Sequence, residues 1–291
     1  MAEGGAGLNI LIALAPAFFW GILPLVVSRV GGTPVQQIIG TTVGTLLVSI
    51  VVAMIMPPTL SSTVFWYSFA SGACWAFGQM NQYRSFLQIG VSNAMPVSTG
   101  MQLVSTSLVG VLVFGEWPTL ADKVLGFCAI ALIVLGIYLT THQEGEGHEG
   151  VDMRAGVITL LISTVGYVGY SYFPRAGHVD GQDAFLPQAV GMVAMSLVMP
   201  LFFRGSKPFN RKTVQNLLGG FIFAAAALAY LLSAYRNGIA TGFTLSQMNV
   251  VLATLGSIYI LGEKKTRKEM RHVLTGLALV VAGGIMIGLN A

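Results

Sequence analysis

Apolar stretches long enough to cross a lipid bilayer recur along the whole chain, and no other feature constrains its fold as strongly. Each runs for 18–24 residues, where about 20 helical residues cross the ~30 Å hydrocarbon layer. No water reaches backbone N–H and C=O groups in that layer, so a crossing segment must pair them internally, as a helix does. The pattern predicts ten helices, at 8–28, 34–56, 63–86, 94–114, 121–141, 154–173, 184–203, 213–235, 239–261 and 270–289. Helix-breaking runs separate several of them: Gly31-Gly32-Thr33-Pro34, Pro57-Pro58, Gly115-Glu116-Trp117-Pro118 and Lys207-Pro208. Only 9% of the 291 residues are charged, against about 25% in a soluble domain. An all-α integral membrane protein is expected. The 36 glycines suit it, because small residues let membrane helices approach closely. The Gly-rich start, residues 1–7, reads as a tail outside the fold.

The two halves of the chain resemble each other. LVFGEW closes the fourth predicted helix and YILGEK the ninth, which places Glu116 and Glu263 147 residues apart. IGVSNAMPVSTGMQ leads into the first motif and NGIATGFTLSQMN into the second. The third and eighth helices end in Tyr83-Arg84 and Tyr235-Arg236. The expected division is a five-helix repeat over 8–141, a linker over 142–153 and a second five-helix repeat over 154–291. An odd number of crossings makes the second half enter the membrane in the opposite sense. Inverted repeats of this kind build a midplane substrate site with alternating access. Lysine and arginine suggest the orientation. Odd-numbered loops and adjoining helix ends carry twelve of them and even-numbered loops three, which puts both termini outside the cell.

Polar residues interrupt the apolar pattern in stripes. WAFGQMNQYR, residues 75–84, carries three amides and a guanidinium inside a membrane stretch. At helical spacing Trp75, Gln79 and Gln82 share one face, while Asn81 and Tyr83 point elsewhere. Amides facing lipid would be left unsatisfied at a high energetic cost, so the stripe must face protein or a wet cavity. Ser98, Gln102 and Ser105 form a similar stripe in the fourth helix and Ser163, Tyr167 and Tyr170 in the sixth. The ninth offers Thr244 and Gln247, with Asn249 on a neighbouring face, and the first offers Trp20 between Pro16 and Pro24. The set is neutral. Amides both donate and accept hydrogen bonds, as a polyol requires, and an aromatic face packs against the C–H face of a pyranose. No carboxylate lies near a helix midpoint, which argues against a cationic substrate. No basic cluster lies there either, which argues against a phosphorylated one. The candidate substrate site is therefore Trp20, Trp75, Gln79, Gln82, Gln102, Tyr167, Gln247 and Asn249, near the midplane between helices one, three, four, six and nine. The competing role for each amide is glue between helices.

Other chemistries find little support. Cys74 and Cys128 lie inside predicted helices and give neither a disulfide framework nor a metal-ligand spacing. His142, His148, His178 and His272 lie in loops or at helix ends, without HExxH spacing. No GxxxxGK[ST] phosphate loop occurs. Neither an enzymatic activity nor a cofactor is expected. The linker THQEGEGHEGVDM, with its acids and histidines, reads as a solvated connection. The net charge of +4 sits in short loops, as an orientation signal and not a nucleic-acid footprint. The expected partners are a small neutral solute and the bilayer.

PAFFWG (16–21), GTTVGTLLV (40–48), WAFGQMNQYRS (75–85) and IGVSNAMPVSTGMQLV (89–104), followed by FGEW (114–117), resemble the bacterial glucose/ribose porter family. That family belongs to the drug/metabolite transporter superfamily. The resemblance covers residues 8–291 and is most specific over 75–117. It implies a ten-helix fold made by inverted duplication, a place in the bacterial cell membrane, and import of glucose or another monosaccharide with a proton. It brings no catalytic residues. A facilitated sugar uniporter stays open, as does an exporter of drugs or neutral metabolites with a greasier cavity. A proton would use Glu116 or Glu263, the carboxylates at span ends within the repeat. Inverted symmetry also makes Arg84 with Glu263, and Arg236 with Glu116, candidate gating pairs. For Arg84 the plainer alternative is a side chain snorkelling to the membrane surface.

Overall fold

The computed structural model describes residues 3–142, 151–203, 207–237 and 245–289, without the side chains of 3–10, 13 and 234–237. The helices among the described residues are α1 (Glu3–Val30), α2 (Pro34–Ile55), α3 (Ser62–Ile89), α4 (Val91–Phe114), α5 (Leu120–Thr140) and α6 (Met153–Ala176). They continue with α7 (Gly181–Val198), extended by a 3₁₀ turn at Met199–Leu201, then α8 (Arg211–Gln215), α9 (Leu217–Asn237), α10 (Asn249–Tyr259) and α11 (Arg267–Leu289). No strand occurs among these residues. Among the described residues, seven helical segments are long and apolar enough to cross a membrane. They include Arg211–Ser233, which takes α8 and most of α9 together. The helix α3 is long, at 28 residues, but falls outside that set because its amides and aromatic hydroxyls dilute its apolar content. Of the ten expected crossings, seven are matched among the described residues by length and composition. The helix α10 has 11 residues, and residues 238–244 before it lie outside the described set.

Local chemistry explains most of the boundaries. Pro34 opens α2 and Thr33 caps it: Gln36 N–H donates to Thr33 Oγ1 at 3.3 Å while Thr33 N–H donates to Gln36 Oε1 at 3.0 Å. Thr119 and Asp122 form the same reciprocal cap on α5. Sequence pattern places the break between the third and fourth helices at 87–93; the structure shortens it to Gly90, whose φ of +74° turns the chain within one residue. The expected helix 213–235 divides at Asn216 into α8 and α9. The two repeat motifs end alike. Gly115 and Gly262 have φ of +69° and +77°. The following N–H reaches back six residues in both, from Glu116 to Gly110 O at 3.1 Å and from Glu263 to Ser257 O at 3.2 Å, so both helices close on a left-handed glycine.

Packing divides the chain into two compact units. One comprises Met1–Leu25, Ser85–Val157 and Ala226–Ala291, the other Val26–Arg84 and Ile158–Ala225. Each draws on both sequence halves, so packing and the expected repeat are different divisions of the chain. In the first unit α5 lies along α11, and α4 packs on α5, α10 and α11. Leu103, Ala129, Ile133 and Ile287 form a buried apolar cluster there. In the second unit α2 packs on α7 and α8. Large apolar side chains such as Ile55, Leu112, Val165 and Leu201 are exposed, as a lipid-facing surface allows.

Within the second unit, α3 and α6 meet backbone to backbone. A Cβ on Gly166 would stand 2.6 Å from Gly78 N and 2.8 Å from Gly78 Cα. Ser163 Oγ donates to Gly78 O at 2.6 Å and ties the two helices at this level. Gly166→Leu must force the helices apart, at about 1–3 kcal/mol for an overpacked contact. The expected result is a lower unfolding temperature of the detergent-purified protein; an unchanged one would contradict this contact.

Candidate substrate site

The contact between α3 and α6 brings three of the sequence-derived residues together. Gln79 and Gln82 stand one turn apart on α3, and both are buried. Tyr167 of α6, also buried, directs its hydroxyl at Gln79 Oε1 at 2.8 Å and at Gln82 Oε1 at 3.1 Å. Gln79 Nε2 donates to Gln82 Oε1 at 2.8 Å. The result is a closed triangle of two amides and a phenol, without a formal charge. A hydroxyl of a ligand both donates and accepts, so it can replace one side of the triangle without leaving a buried group unpaired. A purely apolar ligand cannot.

The other polar and aromatic side chains of this stretch of α3 have partners of their own. Trp75 is 3% exposed, and its ring lies 4.2 Å from that of Phe223 at 43°. Phe223 of α9 therefore covers the indole that was expected to lie against a sugar ring. Asn81, on another face, donates from Nδ2 to Phe77 O of its own helix at 2.9 Å. Tyr83 is fully buried and meets Thr41 Oγ1 at 3.2 Å. Phe223 and Thr41 have no signal in sequence, since each acts only through a partner far along the chain.

The first unit holds the other candidates. Trp20 is half-buried, with its ring 5.7 Å from Tyr230 at 39°. Gln102 is half-buried on α4 and donates from Nε2 to Ser98 Oγ at 3.0 Å, one turn away as the stripe required. Gln247 is buried and its Nε2 reaches Ser246 Oγ at 3.4 Å. Asn249, at the start of α10, donates from Nδ2 to Ser246 O at 2.7 Å. A Cβ on Gly284 would stand 3.3 Å from Leu103 Cδ1 and 3.5 Å from Gln247 Cγ, so Gln247 lies close to the residue that follows Gln102. Thr244 lies outside the described residues.

The charged candidates have distinct settings. Both carboxylate oxygens of Glu263 accept from the start of α4, from Val91 N–H at 2.7 Å and Ser92 N–H at 2.9 Å. Nearby, Lys265 Nζ donates to Asn93 Oδ1 at 2.6 Å. Burial pushes the Lys265 ammonium below its usual range, against the pull of Glu269 and Glu263. Glu116 is half-buried, with its carboxylate against Gly110. Arg84 is exposed. The Arg236 side chain lies outside the described residues. His142 and His272 bring their rings to 4.4 Å, but no group of three or more His, Cys, Asp or Glu side chains gathers among the described residues.

Long apolar helices and a buried neutral polar cluster define a multi-pass helical membrane protein. The chain belongs to the sugar transport protein family, whose model matches residues 11–290. A relative from Listeria monocytogenes named as a sugar uptake protein is 52% identical, over 97% of this chain and 99% of its own. One from Latilactobacillus sakei named for ribose uptake is 47% identical, over 95% and 96%. One from Bacillus anthracis named for glucose uptake is 44% identical, over 97% and 99%. A crystal structure 16% identical in sequence matches with a TM-score of 0.61 over 97% of both chains, a likeness of fold alone.

Tyr167→Phe tests the triangle. It leaves the buried Gln79 Oε1 without its 2.8 Å donor, which typically costs about 1–3 kcal/mol. Thermal unfolding in detergent should register the loss; a wild-type unfolding temperature would mean the hydroxyl carries no such load.

Proposed function

We propose that the protein imports a neutral monosaccharide, glucose foremost, into the bacterial cell by proton symport. The observation that carries this reading is the neutral triangle of Gln79, Gln82 and Tyr167, in a chain whose relatives are named for sugar, glucose and ribose uptake. In this reading the triangle opens to take sugar hydroxyls. In the other unit Gln102, Gln247, Asn249 and Trp20 are candidates for sugar contact in their own right. Trp75 supports the site through Phe223.

Alternating access would follow from an inverted repeat of two five-helix halves. The matching left-handed glycine turns at Gly115 and Gly262 support that repeat, because equivalent positions of both halves turn the same way. Glu116 and Glu263, the carboxylates that close the two repeat motifs, are the groups proposed to carry the proton. Orientation follows the positive-inside rule, with both termini outside. An impermeant thiol reagent applied to intact cells should modify a cysteine placed at Ser61 and spare one placed at Lys207. The reverse pattern would invert the topology.

Proteoliposomes test the function. Radiolabelled glucose should accumulate above equilibrium only when the entry side is more acidic. Equal uptake with and without the gradient would point to a uniporter. Uptake of ribose without glucose would move the substrate to a pentose. Gln79→Ala and Gln102→Ala should each weaken glucose binding by roughly threefold to tenfold, the range of one lost hydrogen bond. Asn81→Ala should change it less. Unchanged affinity in both glutamine variants would return these amides to interhelical glue.

A further inference from the structure

The fourth helix has an unusual start. Its N-cap residue is Gly90, which offers no side chain to the first amides of α4. Ser92 Oγ is buried without a hydrogen-bond partner and does not cap them either. The first N–H groups of a helix have no partner within it and carry its positive end. Here the partner comes from 172 residues away. Val91 N–H and Ser92 N–H donate to separate oxygens of the Glu263 carboxylate at 2.7 and 2.9 Å. The fit is close, since a Cβ on Gly90 would stand 2.8 Å from Glu263 Oε2. Two residues on, Lys265 Nζ donates to Asn93 Oδ1 at 2.6 Å, and Asn93 Nδ2 donates to Ile89 O at 2.7 Å. The segment between α10 and α11 thus holds the first turn of α4 by three hydrogen bonds, two of them to one carboxylate. Glu263 itself is fixed after the left-handed turn at Gly262 through its N–H bond to Ser257 O at 3.2 Å.

We propose that Glu263 is a positioning residue: its carboxylate is a built-in anion that anchors the start of α4 and thereby places the Ser98–Gln102 face of that helix. The inference rests on the sugar-binding reading of Gln102 for its functional half. The anchoring half does not need it. A carboxylate has the shape for the task, because it presents two oxygens to two parallel N–H groups. A glutamine in its place offers one acceptor oxygen and no charge.

Two readouts separate the anchor from its consequence. The first is amide hydrogen exchange of a peptide covering 89–95 in the detergent-purified protein, which needs no sugar. Glu263→Ala should raise exchange there by about tenfold, the usual scale of a lost helix cap. Glu263→Gln keeps the shape and one acceptor, folds if the alanine variant does not, and should show an intermediate rise. Sodium formate should restore protection in Glu263→Ala, whereas the same concentration of sodium chloride should restore less, because chloride cannot present two oxygens. Wild-type exchange in both variants would overturn the anchor.

The second readout is glucose affinity. Glu263→Gln should weaken it about threefold to tenfold, but by less when made in a Gln102→Ala background, because the anchor acts through that face. Raised exchange with unchanged affinity, or equal effects in the two backgrounds, would overturn the positioning role and leave Glu263 a helix cap only. If the wild-type protein binds no monosaccharide, the functional reading fails and the exchange arm still decides the anchor.

Discussion

The hydrogen-bonded triangle of Gln79, Gln82 and Tyr167 exists only because α3 and α6 touch backbone to backbone. A Cβ on Gly166 would stand 2.6 Å from Gly78 N, so no larger residue fits there without separating the helices. Ser163 locks the same level by donating to Gly78 O. One turn along α6, Tyr167 is then held where its hydroxyl reaches both amide oxygens. In an apolar interior an unpaired amide is costly, and the triangle removes that cost when no ligand is bound. Only a group that both donates and accepts could take over one of its sides without leaving a partner unpaired.

Much of this was legible from periodicity. Gln79 and Gln82 follow one helical stripe, Tyr167 another, and Ser98 with Gln102 a third; the structure pairs Gln79 with Gln82 and Gln102 with Ser98. Helix spacing says nothing about what stands opposite, and there the sequence reading stopped. Trp75 looked like a surface for a sugar ring, yet Phe223 of α9 covers it. Tyr83 looked displaced from the site, yet it is buried against Thr41. The apolar pattern found the helices but not their joints. The single positive-φ residue Gly90 turns the chain where several loop residues were expected, and Asn216 divides α8 from α9. The amides of α3 also lower its apolar content, which leaves it outside the seven described segments that are long and apolar enough to cross a membrane.

The two repeat motifs share one backbone turn. Glu116 and Glu263 follow glycine caps of the same geometry, and in sequence they are equivalent. The Glu263 carboxylate is engaged by the first amides of α4, a partnership across 172 residues that no local pattern announces. Glu116 lies against Gly110 of its own helix. Membership of the sugar transport protein family gives these features a common setting. A neutral substrate calls for amides and hydroxyls in the interior, and the carboxylates are left to the helix ends.

The central claim is that the triangle reads sugar hydroxyls directly. Binding of a series of singly deoxygenated glucoses to the wild-type protein and to Gln79→Ala tests it as a set of double-mutant cycles. Removing the hydroxyl that enters the triangle should weaken binding to the wild type and cost distinctly less in Gln79→Ala, a coupling of about 0.5 kcal/mol or more. If every deoxy sugar loses the same affinity in both proteins, no hydroxyl meets Gln79, and the triangle is a structural tie between α3 and α6.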